Sequence, residues 1–173
     1  MSKKIISLML VLVLAISIFP VNALAVNDER AKEILISSDS YVDEAGNLIT
    51  DRLYFEPVSS GPMTRGASGS GYYRQEKNIT WDGGSNVSVI WVKAYFVWGN
   101  GDVSVSSAST GTSGYVPTGG SLNYKSLTTG TGQFLGLFNK YAYAEAKYER
   151  VSVFGIRTEF TVRIQVSESG NVG

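Results

Sequence analysis

Carboxylates, amines, guanidines, phenols and hydroxyls are the reactive groups in this 173-residue chain, which has no histidine and no cysteine. Those two absences exclude a Ser-His-Asp triad, a cysteine nucleophile, a zinc finger, a His-ligated haem and any disulfide. Glycoside hydrolysis remains open, since it needs only two carboxyl groups roughly 5–10 Å apart. Glu145, Glu149 and Glu159 are the acids that sequence spacing brings nearest one another. On a strand, Glu145 and Glu149 stand about 13 Å apart, too far; on a helix they are neighbours. Glu149 and Glu159 meet only across a hairpin. Lys147, Arg157 and Arg163 lie among them, so the simpler account is the solvated face of a sheet. The sequence therefore nominates no catalytic residue.

Two loops carry oxygen ligands, Asp82-Gly83-Gly84-Ser85-Asn86 and Asn100-Gly101-Asp102. Neither has the spacing of a calcium loop, and each is explained as a turn. The glycine-rich stretch 128–132 lacks the Lys-Ser/Thr pair of a phosphate loop. No cofactor or metal is expected.

Aromatic residues are more suggestive. Past position 25 the chain holds three Trp, ten Tyr and six Phe. Most read as core and cross-strand pairs. Five have the placement of a stacking platform for sugar rings. Trp91 and Tyr95 share one face of a strand, with Trp98 at its hairpin end, and Tyr141 and Tyr143 share a face with Glu145. These are the candidate ligand-binding residues.

The elements that must position them are strands. From residue 72 the chain is rich in Val, Ile, Thr, Tyr, Phe and Trp, with turn residues at short intervals. Residues 72–80 and 87–98 read as strands. Asn100-Gly101 marks a two-residue hairpin turn, because both positions need φ > 0. A return strand follows at 103–106. Residues 107–133 are Ser-, Thr- and Gly-rich, with short strands expected at Tyr115-Val116 and 122–127. In 159–166 apolar and polar residues alternate, as in a half-buried strand. Pairing 141–149 antiparallel with it places Glu145 opposite Arg163, Lys147 opposite Thr161 and Tyr148 opposite Phe160. A helix over 139–150 competes, since Ala, Glu and Lys favour helix. The expected fold is all-β, an antiparallel β-sandwich or barrel of about 7–9 short strands.

Ahead of it lies an export signal. Lys3 and Lys4 precede an apolar run at 5–19, then Pro20 and the small-residue site Ala23-Leu24-Ala25. That order is the anatomy of a secretory signal peptide, 1–25, cleaved after Ala25. The run is shorter than the ~20 residues that span a bilayer. Residues 26–58 form an acidic segment, either a first hairpin or a propeptide, with a short helix expected at 28–35 and a hairpin turn at 44–47. A Gly/Ser-rich linker, 59–71, leads to the β-domain, 72–167, and residues 168–173 read as a disordered tail. Residues 26–70 carry a net charge of −4 and residues 71–173 of +2, which is no nucleic-acid footprint.

The expectation is a small secreted, extracellular bacterial β-domain without enzymatic activity. Its partner is a cell-wall or extracellular glycan, bound through aromatics, or another surface protein. A membrane-active protein of bacteriocin-like or pore-forming type, acting through 102–133, is the first alternative. A carboxylate-dependent glycoside hydrolase is the second. Oligomeric state is left open.

Overall fold

A computed structural model describes residues 33–58, 68–81, 86–133 and 140–173, all within one compact unit, Ala31–Gly173. The expected signal peptide with Ala23 and Ala25, residues 28–32 of the expected helix, and 59–67 of the expected linker lie outside the described residues.

The described residues are all-β, with eight antiparallel strands in two sheets. They are β1 (Ile34–Val42), β2 (Leu48–Pro57), β3 (Gly69–Thr80), β4 (Val87–Gly99), β5 (Asp102–Gly114), β6 (Ser121–Gln133), β7 (Lys140–Val151) and β8 (Arg157–Ser167). The first five form one meander in the order β1-β2-β3-β4-β5, and the last three a second, β6-β7-β8. The segment 115–120 is the single crossing between the sheets. The sheets share one core, an arrangement consistent with a β-sandwich.

Alternation builds that core. On β4 the even residues Ile90, Val92, Ala94, Phe96 and Trp98 are buried and the odd ones face outward. On β7 the inward residues are Ala142, Ala144, Ala146 and Tyr148. The alanine stripe lets large side chains of the five-stranded sheet fill the space between sheets, the large-against-small packing of a dense core. Among the contacts that cross the core, Trp81 meets Phe160 edge-on with centroids 6.1 Å apart, and Thr110 Oγ1 lies 2.5 Å from Tyr148 Oη.

The turns repeat one grammar. Asp43 Oδ1 accepts the N–H groups of Ala45 (2.9 Å) and Asn47 (2.8 Å), with Gly46 at φ +83°. Ser152 Oγ accepts from Ile156 (3.1 Å), with Gly155 at φ +77°. Ser167 Oγ accepts from Asn171 (3.0 Å), with Gly170 at φ +79°. In each, a short side chain satisfies the turn's N–H groups and a glycine three residues on takes the left-handed conformation. Asn100 (φ 55°) and Gly101 (φ 74°) make the expected tight turn between β4 and β5.

Several expectations are corrected. The strands are long, 9 to 13 residues. The segment 107–133 is not mostly loop: β5 runs to Gly114 and β6 spans 13 residues, while Tyr115 and Val116 lie in the connection. Edge strands bury little, so Ser, Thr and Gly suffice for them. Residues 140–151 are the strand that the pairing with 159–166 requires, and not the competing helix, because the alanines alternate into the core. Ile34 and Leu35 open β1 rather than close a helix. The end of the chain is also structured: after the Ser167 turn, Val172 bridges Val166. Residues 34–57 form the first hairpin of the large sheet, and β3 begins at Gly69, inside the stretch read as linker.

Candidate functional site

The five candidate residues do not form one platform. Trp91 and Tyr95 lie on the outer face of the five-stranded sheet, whereas Tyr141 and Tyr143 lie on the outer face of the other. Trp98 has the parity of Phe96 and points inward, 4% exposed, with Gly69 and Gly170 against its ring. It is a core residue and leaves the site.

Register shows what surrounds Trp91 and Tyr95. Across β2, β3 and β4 the outward rows are Arg52–Glu76–Trp91, Tyr54–Arg74–Lys93 and Glu56–Tyr72–Tyr95. Arg74 is paired with both Glu33 and Glu76, and Lys93 with Glu56 and, at 3.7 Å, with Glu33. The Arg74 guanidinium covers Tyr54 at 4.5 Å and the Lys93 ammonium covers Tyr72 at 5.0 Å. Tyr72 and Tyr95 pack 4.9 Å apart. Trp91 is different. Its partner on β5 is Gly111, and a Cβ there would sit 2.7 Å from the indole. The indole therefore lies across the glycine and braces an edge strand, and the residue stays partly exposed. Sequence reading missed Tyr54, Tyr72, Arg74 and Lys93, although the common parity of 72 and 74 was visible.

The second outer face repeats this arrangement. Tyr143 lies across Gly130 and Tyr141 across Gly132, where a Cβ would come within 2.8 and 2.5 Å of the rings. The two rings are 6.4 Å apart, and Arg163 stacks on Tyr143 at 4.4 Å. The three candidate acids follow on the same face. Glu145 pairs with Arg163 at 3.4 Å, Glu149 with Arg157 at 3.1 Å and Lys125 at 3.5 Å, and Glu159 with Lys147 at 3.1 Å. Glu149 stands directly opposite Glu159, and the cations neutralise what would otherwise be a repulsive pair.

A third feature was not foreseen. A cleft of about 750 Å³ opens between the β1–β2 hairpin and β8. At its floor Lys77 is 9% exposed, and its ammonium donates to Tyr41 Oη (2.9 Å) and to Asp51 (3.1 Å). Burial works against the Lys77 charge, but the bonds to Tyr41 and the Asp51 carboxylate outweigh it and raise its pKa above the ordinary 10.5. Lys77 is therefore a firm cation and a poor nucleophile. Burial also pushes the Tyr73 phenol up to about 12. Both groups hold their protons more tightly folded than unfolded. The stability this contributes is complete below the unfolded pKa of each and is lost as pH rises through the folded value. The melting temperature should accordingly fall between pH 10 and 12, and Tyr73→Phe should flatten the fall. Circular-dichroism melts across that range check this; an unchanged alkaline slope in Tyr73→Phe would refute the assignment.

Asp102, in one of the two oxygen-rich loops, is engaged by Lys140 at 3.4 Å; residues 82–85 of the other lie outside the described residues. Among the described residues no three acidic side chains converge on a metal position, and no helix is long and apolar enough to cross a membrane. In architecture the chain is an eight-stranded, cysteine-free β-protein with an aromatic-bearing outer face on each sheet. No protein-family model matches it, and neither the curated proteins nor the solved structures contain a significant match.

Proposed function

We propose that this is a secreted bacterial β-domain that binds an extracellular or cell-surface glycan without acting on it. The observation that carries the reading is the Trp91 indole laid across Gly111. One side of such a ring rests on the strand, and its partial exposure leaves the rest as the surface offered to a sugar ring. Ser107 and Ser109 on the adjacent edge strand and the charged row beside it supply hydrogen-bonding partners. The other rings on this face are less suited, since cations already cover Tyr54 and Tyr72. On the opposite sheet Tyr141, laid across Gly132, offers a smaller version of the same surface, beside Tyr143 on which Arg163 already stacks. Export, on this reading, follows from the signal sequence.

The test is depletion of the purified protein by cellulose, chitin and peptidoglycan. Retention on at least one is expected, and Trp91→Ala should weaken it about tenfold or more. No retention on any, or equal retention of the variant, defeats the proposal.

A second reading, membrane insertion through 102–133, has one observation in its favour. β5 and β6 are edge strands of 13 residues each, longer than the ~9–11 residues that a membrane-spanning strand requires. Leakage of dye from liposomes would support it, and inertness at micromolar protein would remove it.

A further inference from the structure

β8 is an edge strand, and the chain has already begun to pair with its free side. After the Ser167 turn, Val172 bridges Val166 in antiparallel sense. The Ser167 N–H donates to the Asn171 carbonyl at 2.8 Å, and the Gly173 N–H donates to the Gln165 carbonyl at 3.0 Å. These two bonds frame a non-hydrogen-bonded pair, a repeating unit of an antiparallel ladder. They also reveal which β8 groups face outward. Along a strand, the N–H and C=O of one residue point to one side and those of the next to the other. Gln165 and Ser167 face the tail, and the β7–β8 ladder has no register shift. Arg163, Thr161, Glu159 and Arg157 therefore present their backbone groups to the same free edge. Among the described residues no strand pairs with them there.

That edge borders the cleft. Five consecutive residues, 157–161, line it opposite Tyr41, Ala45, Ile49 and Lys77. Consecutive lining identifies the strand's edge and not one of its faces. β3 lies over β8, and β1 and β2 extend the large sheet two strands further. Two strand spacings are about 10 Å, and packed sheets stand about 10 Å apart. A single extended strand fits beneath such an overhang; the edge of a second folded sheet is obstructed by it. Charge gives the slot a polarity. Lys77 is bonded to Asp51, Arg157 to Glu149 and Glu159 to Lys147, while Asp43 and Glu44 have no ion pair among the described residues.

We propose that this slot takes an extended peptide segment of another protein, which adds to β8 as an antiparallel fourth strand. Its alternate residues are apolar and face Phe160 and Ile49, and a lysine or arginine near its C-terminal end meets Asp43 and Glu44. Main-chain bonds supply the affinity and the alternate side chains the choice of sequence. This site is separate from the outer aromatic faces, so glycan binding and peptide binding succeed or fail independently.

The probe is an acetylated octapeptide, Thr-Val-Thr-Val-Thr-Val-Thr-Lys, compared with a version N-methylated at alternate residues. Amide exchange by NMR should show the N–H groups of Glu159, Thr161 and Arg163 exchanging fast in the free protein and at least tenfold slower with the unmethylated peptide. The N-methylated peptide, whose bonding edge is blocked, should give no protection. Thr161→Pro deletes one outward N–H on an edge strand without touching the β7 ladder and should weaken binding at least tenfold, with its melting temperature within a few degrees of the parent; should that variant fail to fold, the N-methyl comparison decides. Equal effects of the two peptides, or no protection at millimolar peptide, overturn the proposal. So does slow exchange of these amides in the free protein, which would mean that residues 1–32 or a second copy, distinguished by sedimentation, already fill the edge.

Discussion

Trp81→Ala is expected to destabilise the protein by about 3–5 kcal/mol, the range for deleting a large buried aromatic. Trp81 sits just past β3, is 2% exposed, and links both sheets. Its ring meets Phe160 on β8, and the Arg150 guanidinium of β7 stacks on it at 4.1 Å. The Arg150 Nε is buried without a hydrogen-bond partner among the described atoms, so the indole is a main source of compensation for that charge. The Trp81 Nε1–H donates to the fully buried Ser88 Oγ at 2.7 Å, and Ser88 donates in turn to the Tyr115 carbonyl. One substitution thus opens a cavity, uncovers a cation and removes a buried donor. Set against a typical domain stability of about 5–15 kcal/mol, this should lower the melting temperature by about 10 °C or more. Trp81→Phe, which keeps most of the packing and loses the hydrogen bond, should fall between. Denaturant titration of the three proteins tests the ordering; an alanine variant within about 1 kcal/mol of the parent would contradict this account.

The second large effect is expected from making a residue bigger. Ala144 lies at the middle of the alanine stripe, between Ala142 and Ala146, all three fully buried. On its own sheet it stands beside Thr129 and Ile164, and across the core it faces the five-stranded sheet. Ala144→Leu inserts a branched side chain where the sheets have closed on a methyl group. The sheets must separate or neighbouring rotamers must strain, at a cost of about 1–3 kcal/mol or more. Ala144→Gly is destabilising as well, by about 1 kcal/mol, because a strand glycine raises the entropy lost on folding. Lys147→Ala, on the opposite face of the same strand and 41% exposed, should stay within about 0.5 kcal/mol. Both Ala144 variants losing stability while Lys147→Ala does not is the signature of a filled position. A neutral Ala144→Leu would mean that the sheets are not close-packed there.

The same alternation explains how far the sequence could be read. Where a strand has one wet and one dry face, parity carries the register. Glu145 does stand opposite Arg163, Lys147 opposite Thr161 and Tyr148 opposite Phe160, as the pattern requires, because a one-residue slip would turn the alanines outward. Asn100-Gly101 was legible for a local reason, the need for two positive φ angles. β5 and β6 were not. Edge strands bury so little that their sequence is indistinguishable from loop, and the rings bracing them, Trp91, Tyr141 and Tyr143, belong to neighbouring strands. A stretch that reads as weak on its own is held by residues up to twenty positions away. Helix propensity competed with the strand reading at 140–151 because alanine, a good helix former, is also the residue that fits a narrow gap between sheets. The turn at Ser167-Glu168-Ser169-Gly170 shares its pattern with those at Asp43 and Ser152, a signal present in the letters and easily passed over near a chain end. The five aromatic candidates were chosen by type; parity alone would have sent Trp98 inward with Phe96. The cleft at Lys77 depends on how far one sheet overhangs the other, which no local pattern encodes.

The connection at 115–120 is the sole covalent tie between two self-contained meanders, and every hydrogen-bonded ladder joins strands that are consecutive in the chain. Each ladder thus forms within a local meander, and the contacts that span the greatest sequence separation are those that pack one sheet on the other. It also means that scission within this connection severs no ladder. Each fragment would retain its backbone ladders but lose the Thr110–Tyr148 and Lys140–Asp102 contacts between the sheets and display a naked apolar face, and the two would be driven to find each other again.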